Sequence, residues 1–272
     1  MIVRRCARQW WLALLFSAIA GCAIAQGSAK EDFQPQVGQE GKDVVWVPTP
    51  QELVQKMLDM AKLTPKDFLI DLGSGDGRTV IAAAKRGSHA LGIEYNPSMV
   101  ELARRNAAKA GVGDRAAFEK ADLFKTDLSR ANVITLFLLT DINLRLRPTI
   151  LSLKPGTRVV SNTFRMGEWE PDETADVGCG SYCTAHLWIV PARVDGVWRV
   201  ADGELTLKQT FQTFTGMLSS RGKSTPVLRG RLDGDQIRFS SGGTEYRGRV
   251  NENTMEGTAG AGDKAGTWKA TR

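Results

Sequence analysis

Cysteine is scarce in this chain of 272 residues, and only Cys179 and Cys183 lie outside the N-terminal segment. Together with His186 they offer three metal ligands and lack a fourth, so we predict no metal site. In an oxidising compartment the Cys-x-x-x-Cys spacing favours a local disulfide between Cys179 and Cys183. Two free buried thiols are the alternative.

The sequence also has few long hydrophobic runs. The apolar stretch from Trp10 to Ala20 is shorter than the roughly 20 residues that a transmembrane helix needs. Basic residues precede it at positions 4–8, and Ala23-Ile24-Ala25 follows it. A positive start, a short apolar run and an A-x-A site are typical of a secretory signal peptide. We therefore expect residues 1–25 to be removed and the protein to be exported, either periplasmic or secreted.

A second interpretation of the same segment uses Ile19-Ala20-Gly21-Cys22, which resembles a bacterial lipobox. Cys22 would then carry a lipid, and the protein would be a membrane-anchored lipoprotein. We expect no other contact with a membrane.

Charge of one sign is limited once the leader is set aside. The net charge is +6, yet residues 26–192 carry 20 basic and 21 acidic side chains. Residues 193–272 carry 13 basic and 9 acidic side chains, a mild surplus that is typical of a solvated surface. We expect no nucleic-acid partner.

The remaining chain divides by its patterns into three parts. Residues 26–45 are polar and lack an apolar period, which indicates a linker. From residue 46 to residue 192, helical periodicity alternates with short apolar runs, and this order predicts a doubly wound, Rossmann-like parallel sheet. Residues 193–272 are rich in glycine and in short alternating segments separated by turns, which predicts a small antiparallel β-domain, a sandwich or barrel.

Within the α/β part, predicted strands cover residues 68–72, 90–94, 116–121, 132–139 and 157–164. Predicted helices cover residues 50–63, 79–86 and 96–111, and a fourth covers residues 141–153 with an interruption at Pro148.

The first of these strands ends in a glycine-rich loop, Asp71-Leu72-Gly73-Ser74-Gly75-Asp76-Gly77. The spacing D-x-G-x-G-x-G differs from the G-x-G-x-x-G of dinucleotide sites. Asp76 would repel a pyrophosphate at the helix start but tolerates a cationic ligand. Glu94 and Asp122 end the next two strands, where acidic side chains can bind a ribose and an adenine amino group.

The stretch from Val47 to about Pro171 resembles the class I S-adenosylmethionine-dependent methyltransferases. Within them it is similar to small protein-lysine methyltransferases, namely archaeal broad-specificity enzymes and mitochondrial enzymes acting on the adenine nucleotide translocase or on a component of ATP synthase. The resemblance rests on Val47-Pro48-Thr49-Pro50, the glycine loop, Gly92 to Pro97, Asp122-Leu123-Phe124, and Phe164 to Pro171.

The resemblance implies an S-adenosyl-L-methionine site and an N-methylated protein lysine or other amine. The cofactor-binding residues that it implies are Thr49, Asp71, Gly73, Ser74, Gly75, Asp76, Gly77, Glu94, Asp122 and Leu123. Phe164 and Trp169 would line an acceptor channel. No catalytic base stands out, which suits transfer to an amine. The alternatives are a small-molecule methyltransferase and an exported, non-catalytic module that binds a nucleoside.

Overall fold

The computed structural model describes residues 33–260 and 265–272. The predicted signal peptide and the lipobox cysteine Cys22 lie outside these residues. Phe33–Arg272 form one compact unit. Within the described ranges no helix has both the length and the apolar character to cross a membrane.

The first part of this unit is a seven-stranded sheet with helices on both faces. Its strands are β1 (Phe68–Leu72), β2 (His89–Glu94), β3 (Ala116–Lys120), β4 (Val133–Leu136), β5 (Arg158–Asn162), β6 (Glu173–Asp176) and β7 (Thr184–Ile189), in the order β3-β2-β1-β4-β5-β7-β6. Its helices are α1 (Gln51–Met60), α2 (Arg78–Lys85), α3 (Pro97–Lys109) and α4 (Thr140–Leu151). The doubly wound α/β prediction is confirmed, since α1 to α3 pack on one face and α4 on the other.

The sheet differs from the prediction at its last two strands. β1 to β5 pair in parallel, but β7 runs antiparallel to both β5 and β6. No local pattern predicted β6 (Glu173–Asp176), because its residues are mostly exposed and form no apolar run. The sheet is therefore mixed, and a hairpin inserts its second strand beside β5.

A second difference concerns Pro148, which was expected to interrupt the fourth helix. α4 continues through Pro148 to Leu151. Ile142, Leu146 and Ile150 of this helix are buried in one hydrophobic cluster with the sheet. Because tertiary packing holds the helix on both sides of the proline, the local cost of the missing N–H does not end it.

The second part is a closed eight-stranded barrel. Its strands are β8 (Gly196–Val200), β9 (Gly203–Thr210), β10 (Thr213–Ser220), β11 (Lys223–Asp233), β12 (Gln236–Ser241), β13 (Thr244–Asn251), β14 (Thr254–Ala259) and β15 (Gly266–Thr271). Each pairs antiparallel with its sequence neighbour, and β15 pairs with β8 to close the barrel. Trp198, Phe214 and Phe239 fill the interior. The prediction of a small antiparallel β-domain is confirmed as a barrel.

Candidate functional site

A cavity of the α/β part lies at the carboxyl ends of β1, β2, β3 and β4, where the sequence patterns predicted a ligand site. Gly73 and Gly75 turn the chain with φ angles of +78° and +54°. A Cβ added to Gly75 would lie 2.7 Å from the indole nitrogen of Trp46. Glycine is therefore needed here for both its backbone angle and its small volume.

Glu94 ties this glycine loop to the start of α3. Its carboxylate accepts a hydrogen bond from the amide of Gly75 at 3.0 Å and another from the amide of Asn96 at 2.9 Å. The side chain is half-buried and lines the cavity. Each carboxylate oxygen keeps a further lone pair with which a ligand hydroxyl could bond.

Asp71 is the buried acid of the cavity. Its Oδ1 accepts a hydrogen bond from the Thr135 hydroxyl at 2.6 Å. Burial raises its pKa to about 7, the Thr135 bond opposes the rise, and the charges of Asp76 and Glu94 add to it. This carboxyl is poised to lose its proton when a cation binds nearby.

Asp76 faces the same cavity and is paired with Arg78. The Arg78 guanidinium donates to both carboxylate oxygens of Asp76, with the shortest distance 2.6 Å, and also to the backbone oxygen of Thr49 at 2.9 Å. The Thr49 hydroxyl in turn accepts from Asn162 at 3.4 Å. The segment before α1 is thereby fixed over the glycine loop.

Asp122 and Leu123 border the cavity beyond β3. The backbone amide of Phe124 donates to Asp122 at 3.0 Å, and Lys42 donates to its other oxygen at 3.0 Å. These two bonds, the backbone one first, hold the pKa of Asp122 below its ordinary value. Lys42 also lies 4.9 Å from the ring centroid of Tyr95.

The segment before α1 contributes more to the site than its polar composition suggested. Residues 26–45 were predicted to be a linker, yet residues 39–45 line the cavity together with Trp46. Lys42, Trp46, Arg78 and Tyr95 were not among the predicted site residues. Of these four, Arg78 had a local sequence signal, because it directly follows the glycine motif.

The lining fits a cation better than an anion. Its acidic residues are Glu40, Asp43, Asp71, Asp76, Glu94 and Asp122, and its basic residues are Lys42 and Arg78. The hydroxyl of Ser74 is buried and has no hydrogen-bond partner among the described residues, so a ligand could supply one. A ligand with a sulfonium and an ammonium group fits this lining, and a pyrophosphate does not.

Two predicted site residues have structural positions instead. Gly77 is absent from the cavity lining; its φ is +84°, and an added Cβ would lie 2.7 Å from the ring of Phe118. It lets α2 begin close to β3. Trp169 was expected in the acceptor channel, but it is fully buried and its ring stacks on Phe211 of the barrel. Trp169 is a packing residue because the barrel covers it.

Phe164, by contrast, belongs to an aromatic cluster with Phe137 and Tyr182. Phe137 lines the cavity, and its ring centroid lies 6.1 Å from that of Phe164 and 5.4 Å from that of Tyr182. Tyr182 is 42% exposed. The cluster therefore runs from the cavity wall to solvent.

Tyr182 sits in the loop between β6 and β7, where a disulfide joins Cys179 and Cys183. Its φ is +60°, an uncommon angle for tyrosine. His186 bonds the Thr174 hydroxyl at 2.9 Å, and no group of metal ligands occurs among the described residues. The disulfide restricts the loop that carries Tyr182.

Residues 71–173 match the family model described as the ANTKMT methyltransferase domain. A protein-lysine N-methyltransferase of Saccharolobus islandicus is 42% identical over 151 residues, which are 54% of this chain and 94% of that protein. The adenine nucleotide translocase lysine N-methyltransferase of Mus musculus is 36% identical over 137 residues, 50% of this chain; the match spans 57% of that protein, little more than half its length.

Among solved structures, an RNA methyltransferase from Salinibacter ruber in complex with S-adenosyl-L-homocysteine is 46% identical to this chain. Its TM-score is 0.52, and the match covers 54% of this chain and 96% of that one. The family match ends at residue 173, before the barrel begins at Gly196.

Proposed function

The chain belongs to the family of S-adenosylmethionine-dependent methyltransferases that includes the protein-lysine N-methyltransferase of Saccharolobus islandicus, and from this premise we propose that it methylates the side-chain amine of a protein lysine. The reaction class and the cofactor follow from the family. The acceptor is the proposal.

The observation that carries the acceptor is the aromatic cluster of Phe137, Phe164 and Tyr182. Aromatic faces attract an ammonium group, and a lysine arm is long and apolar enough to lie against three rings. The aromatic faces favour the protonated amine while it binds, whereas removal from water lowers its pKa. The proton is lost to solvent before transfer, and the neutral nitrogen is the nucleophile. The predicted absence of a dedicated base agrees with this route.

S-adenosylmethionine supplies a methyl group on a sulfonium, which is already activated for transfer. The task of the protein is then to bind, orient and exclude water. Glu94 would hold the ribose hydroxyls, Asp122 the adenine amino group, and Asp71 with the glycine loop the amino-acid end. The amine would approach along Phe137.

A transfer assay tests the acceptor. Full-length protein is incubated with methyl-labelled S-adenosylmethionine and a native cell extract that includes the envelope. The acid-soluble, RNA and protein fractions are then separated, and the protein is hydrolysed and analysed for methylated amino acids. We expect label in N-methyl-lysine, and much less label at a cofactor concentration near the wild-type Kd with Glu94→Ala, the variant that lacks the carboxylate proposed to bind the ribose.

Other outcomes identify the alternatives. Label confined to acid-soluble compounds would replace the proposal with a small-molecule methyltransferase. Label in RNA would show that RNA is the acceptor, as the name of the Salinibacter ruber neighbour states for that protein. A folded protein that does not bind S-adenosylmethionine by calorimetry would support a non-catalytic module.

We also propose that the protein is exported and acts outside the cytoplasm. The basic start, the short apolar run and Ala23-Ile24-Ala25 support this location. Mass spectrometry of protein from the native envelope should find Gln26 at the N-terminus, or a diacylglyceryl group on Cys22 if the lipobox is used. A full-length chain recovered from the cytosol would contradict export.

A further inference from the structure

We propose that the barrel is a working part of the methyltransferase: its β9–β10 turn, Phe211 and Gln212, positions the acceptor segment, defined as residues 163–172. This segment follows β5 and carries Phe164 of the aromatic cluster. The role rests on the proposed amine acceptor. The family match ends at residue 173 and does not include the barrel, so this proposal assigns the barrel a role that the family match does not.

The first contact is between aromatic rings. Phe211 stacks on Trp169 of the acceptor segment with centroids 5.9 Å apart and planes 13° apart. The guanidinium of Arg147, in α4, lies 5.3 Å from the Phe211 centroid and donates to the backbone oxygen of Met166 at 2.8 Å. Phe211 thereby contributes to the complete burial of Trp169 and contacts a side chain that holds the same segment.

The second set of contacts is polar. Gln212 is 4% exposed, and its side-chain amide donates to the backbone oxygen of Glu170 at 2.7 Å. Arg231 of β11 donates to Asp172 at 2.6 Å, and Asp172 also accepts from the amide of Ile189 at 2.8 Å. Buried and half-buried bonds of this kind fix backbone position more strongly than exposed ones.

The backbone of the turn is itself unusual. Phe211 has a φ of +52°, in the left-handed region that favours glycine, asparagine or aspartate. Such an angle persists where surrounding contacts hold it. The amide of Leu232 donates to the Gln212 carbonyl at 2.7 Å and locks the turn to β11.

The other end of the acceptor segment is held by α4. The side-chain amide of Asn143 donates to the Phe164 carbonyl at 3.2 Å. The segment is thus held by α4 at Phe164 and by the barrel from Trp169 to Asp172. If the contacts from the barrel to residues 169–172 are weakened, Phe164 should move away from Phe137. The glycine loop should stay intact, because none of the contacts described for Phe211 and Gln212 involves it.

Two substitutions in the full-length protein test this. Phe211→Asn removes the ring but tolerates the left-handed angle, and Phe211→Tyr keeps the ring. Met217→Ala, also in the barrel and 42% exposed, is the matched control. The measurements are methyl transfer to poly-L-lysine, S-adenosylmethionine affinity by calorimetry, and hydrogen exchange of residues 163–172.

We expect Phe211→Asn to lower kcat/KM for poly-L-lysine by about 10- to 100-fold, the effect of a misplacement on the order of 1 Å. Cofactor affinity should be unchanged, exchange in the acceptor segment should rise, and Phe211→Tyr and Met217→Ala should match the wild type. Faster exchange with unchanged kcat/KM would overturn the proposal, and so would an equal loss of cofactor affinity. A wild type that binds cofactor but methylates no amine would instead refute the proposed acceptor, and hydrogen exchange of residues 163–172 would then decide whether Phe211 positions this segment.

Discussion

Asp71→Asn should make the protein more stable and a poorer binder of its cofactor. Asp71 is buried against Thr135, and its pKa is about 7 where 3.8 is ordinary. Because the pKa is raised on folding, the neutral Asp71 carboxyl contributes its full stabilisation of the folded state below pH 3.8. This contribution is lost as the pH rises through 7. The difference corresponds to about 4 kcal/mol at pH 8. Asparagine is uncharged, and its oxygen can still accept the Thr135 bond, so the variant avoids this loss.

Thermal and denaturant unfolding of the ligand-free protein at pH 4 and pH 8 measure the effect. Wild type and Asp71→Asn should have similar free energies of unfolding at pH 4, and the variant should be the more stable at pH 8. Asp67→Asn is the matched control of opposite sign. Burial tends to raise the pKa of Asp67, but bonds from Arg158 and Thr64 outweigh it and lower the pKa. Its substitution should therefore destabilise at pH 8.

Cofactor binding should show the reverse dependence on pH. A cationic ligand favours the Asp71 carboxylate, so wild-type binding below pH 7 releases a proton. Affinity at pH 5 should be about a hundredfold below its plateau above pH 7. Calorimetry in buffers of different ionisation enthalpy measures both quantities. Affinity that does not change between pH 5 and pH 7, or an Asp71→Asn variant that is folded yet less stable at pH 8, would refute the reasoning.

Three further variants give separate tests. Glu94→Ala should weaken S-adenosylmethionine binding by about 1.5–3 kcal/mol, because charge-assisted bonds have this magnitude; unchanged calorimetric affinity would remove Glu94 from the site. Gly77→Ala should destabilise by about 1–3 kcal/mol through its positive φ and the contact with Phe118, and a melting temperature equal to that of the wild type would contradict this. Replacing Cys179 and Cys183 together by serine should lower the free energy of unfolding by about 2 kcal/mol, the entropic value for so short a loop. Cofactor affinity should stay constant there, and a parallel loss would show that the loop acts on the cofactor cavity.

The sequence was sufficient for the parts of the molecule that are built from local patterns. The glycine loop after β1 and the acids Glu94 and Asp122 after the next strands follow from strand, turn and helix signals within a few residues of each. Because parallel strands bring their carboxyl ends to one edge, these residues had to meet, and the cavity lies there. The assignment of each residue to the cofactor remains a prediction.

Tertiary structure decided the contacts that join distant parts of the chain. The bond from Lys42 to Asp122 spans 80 residues, and it turns an expected linker into a wall of the cavity. The same holds for Trp169, whose aromatic side chain suggests a channel until the barrel covers it with Phe211. The local periodicity of a sequence does not show which distant element will cover a given residue, because burial depends on how whole elements pack together. The sequence alone therefore predicted a methyltransferase sheet with a cofactor site at one of its edges. Only the tertiary structure showed that residues 39–45 line this cavity and that Phe211 of the barrel packs on Trp169.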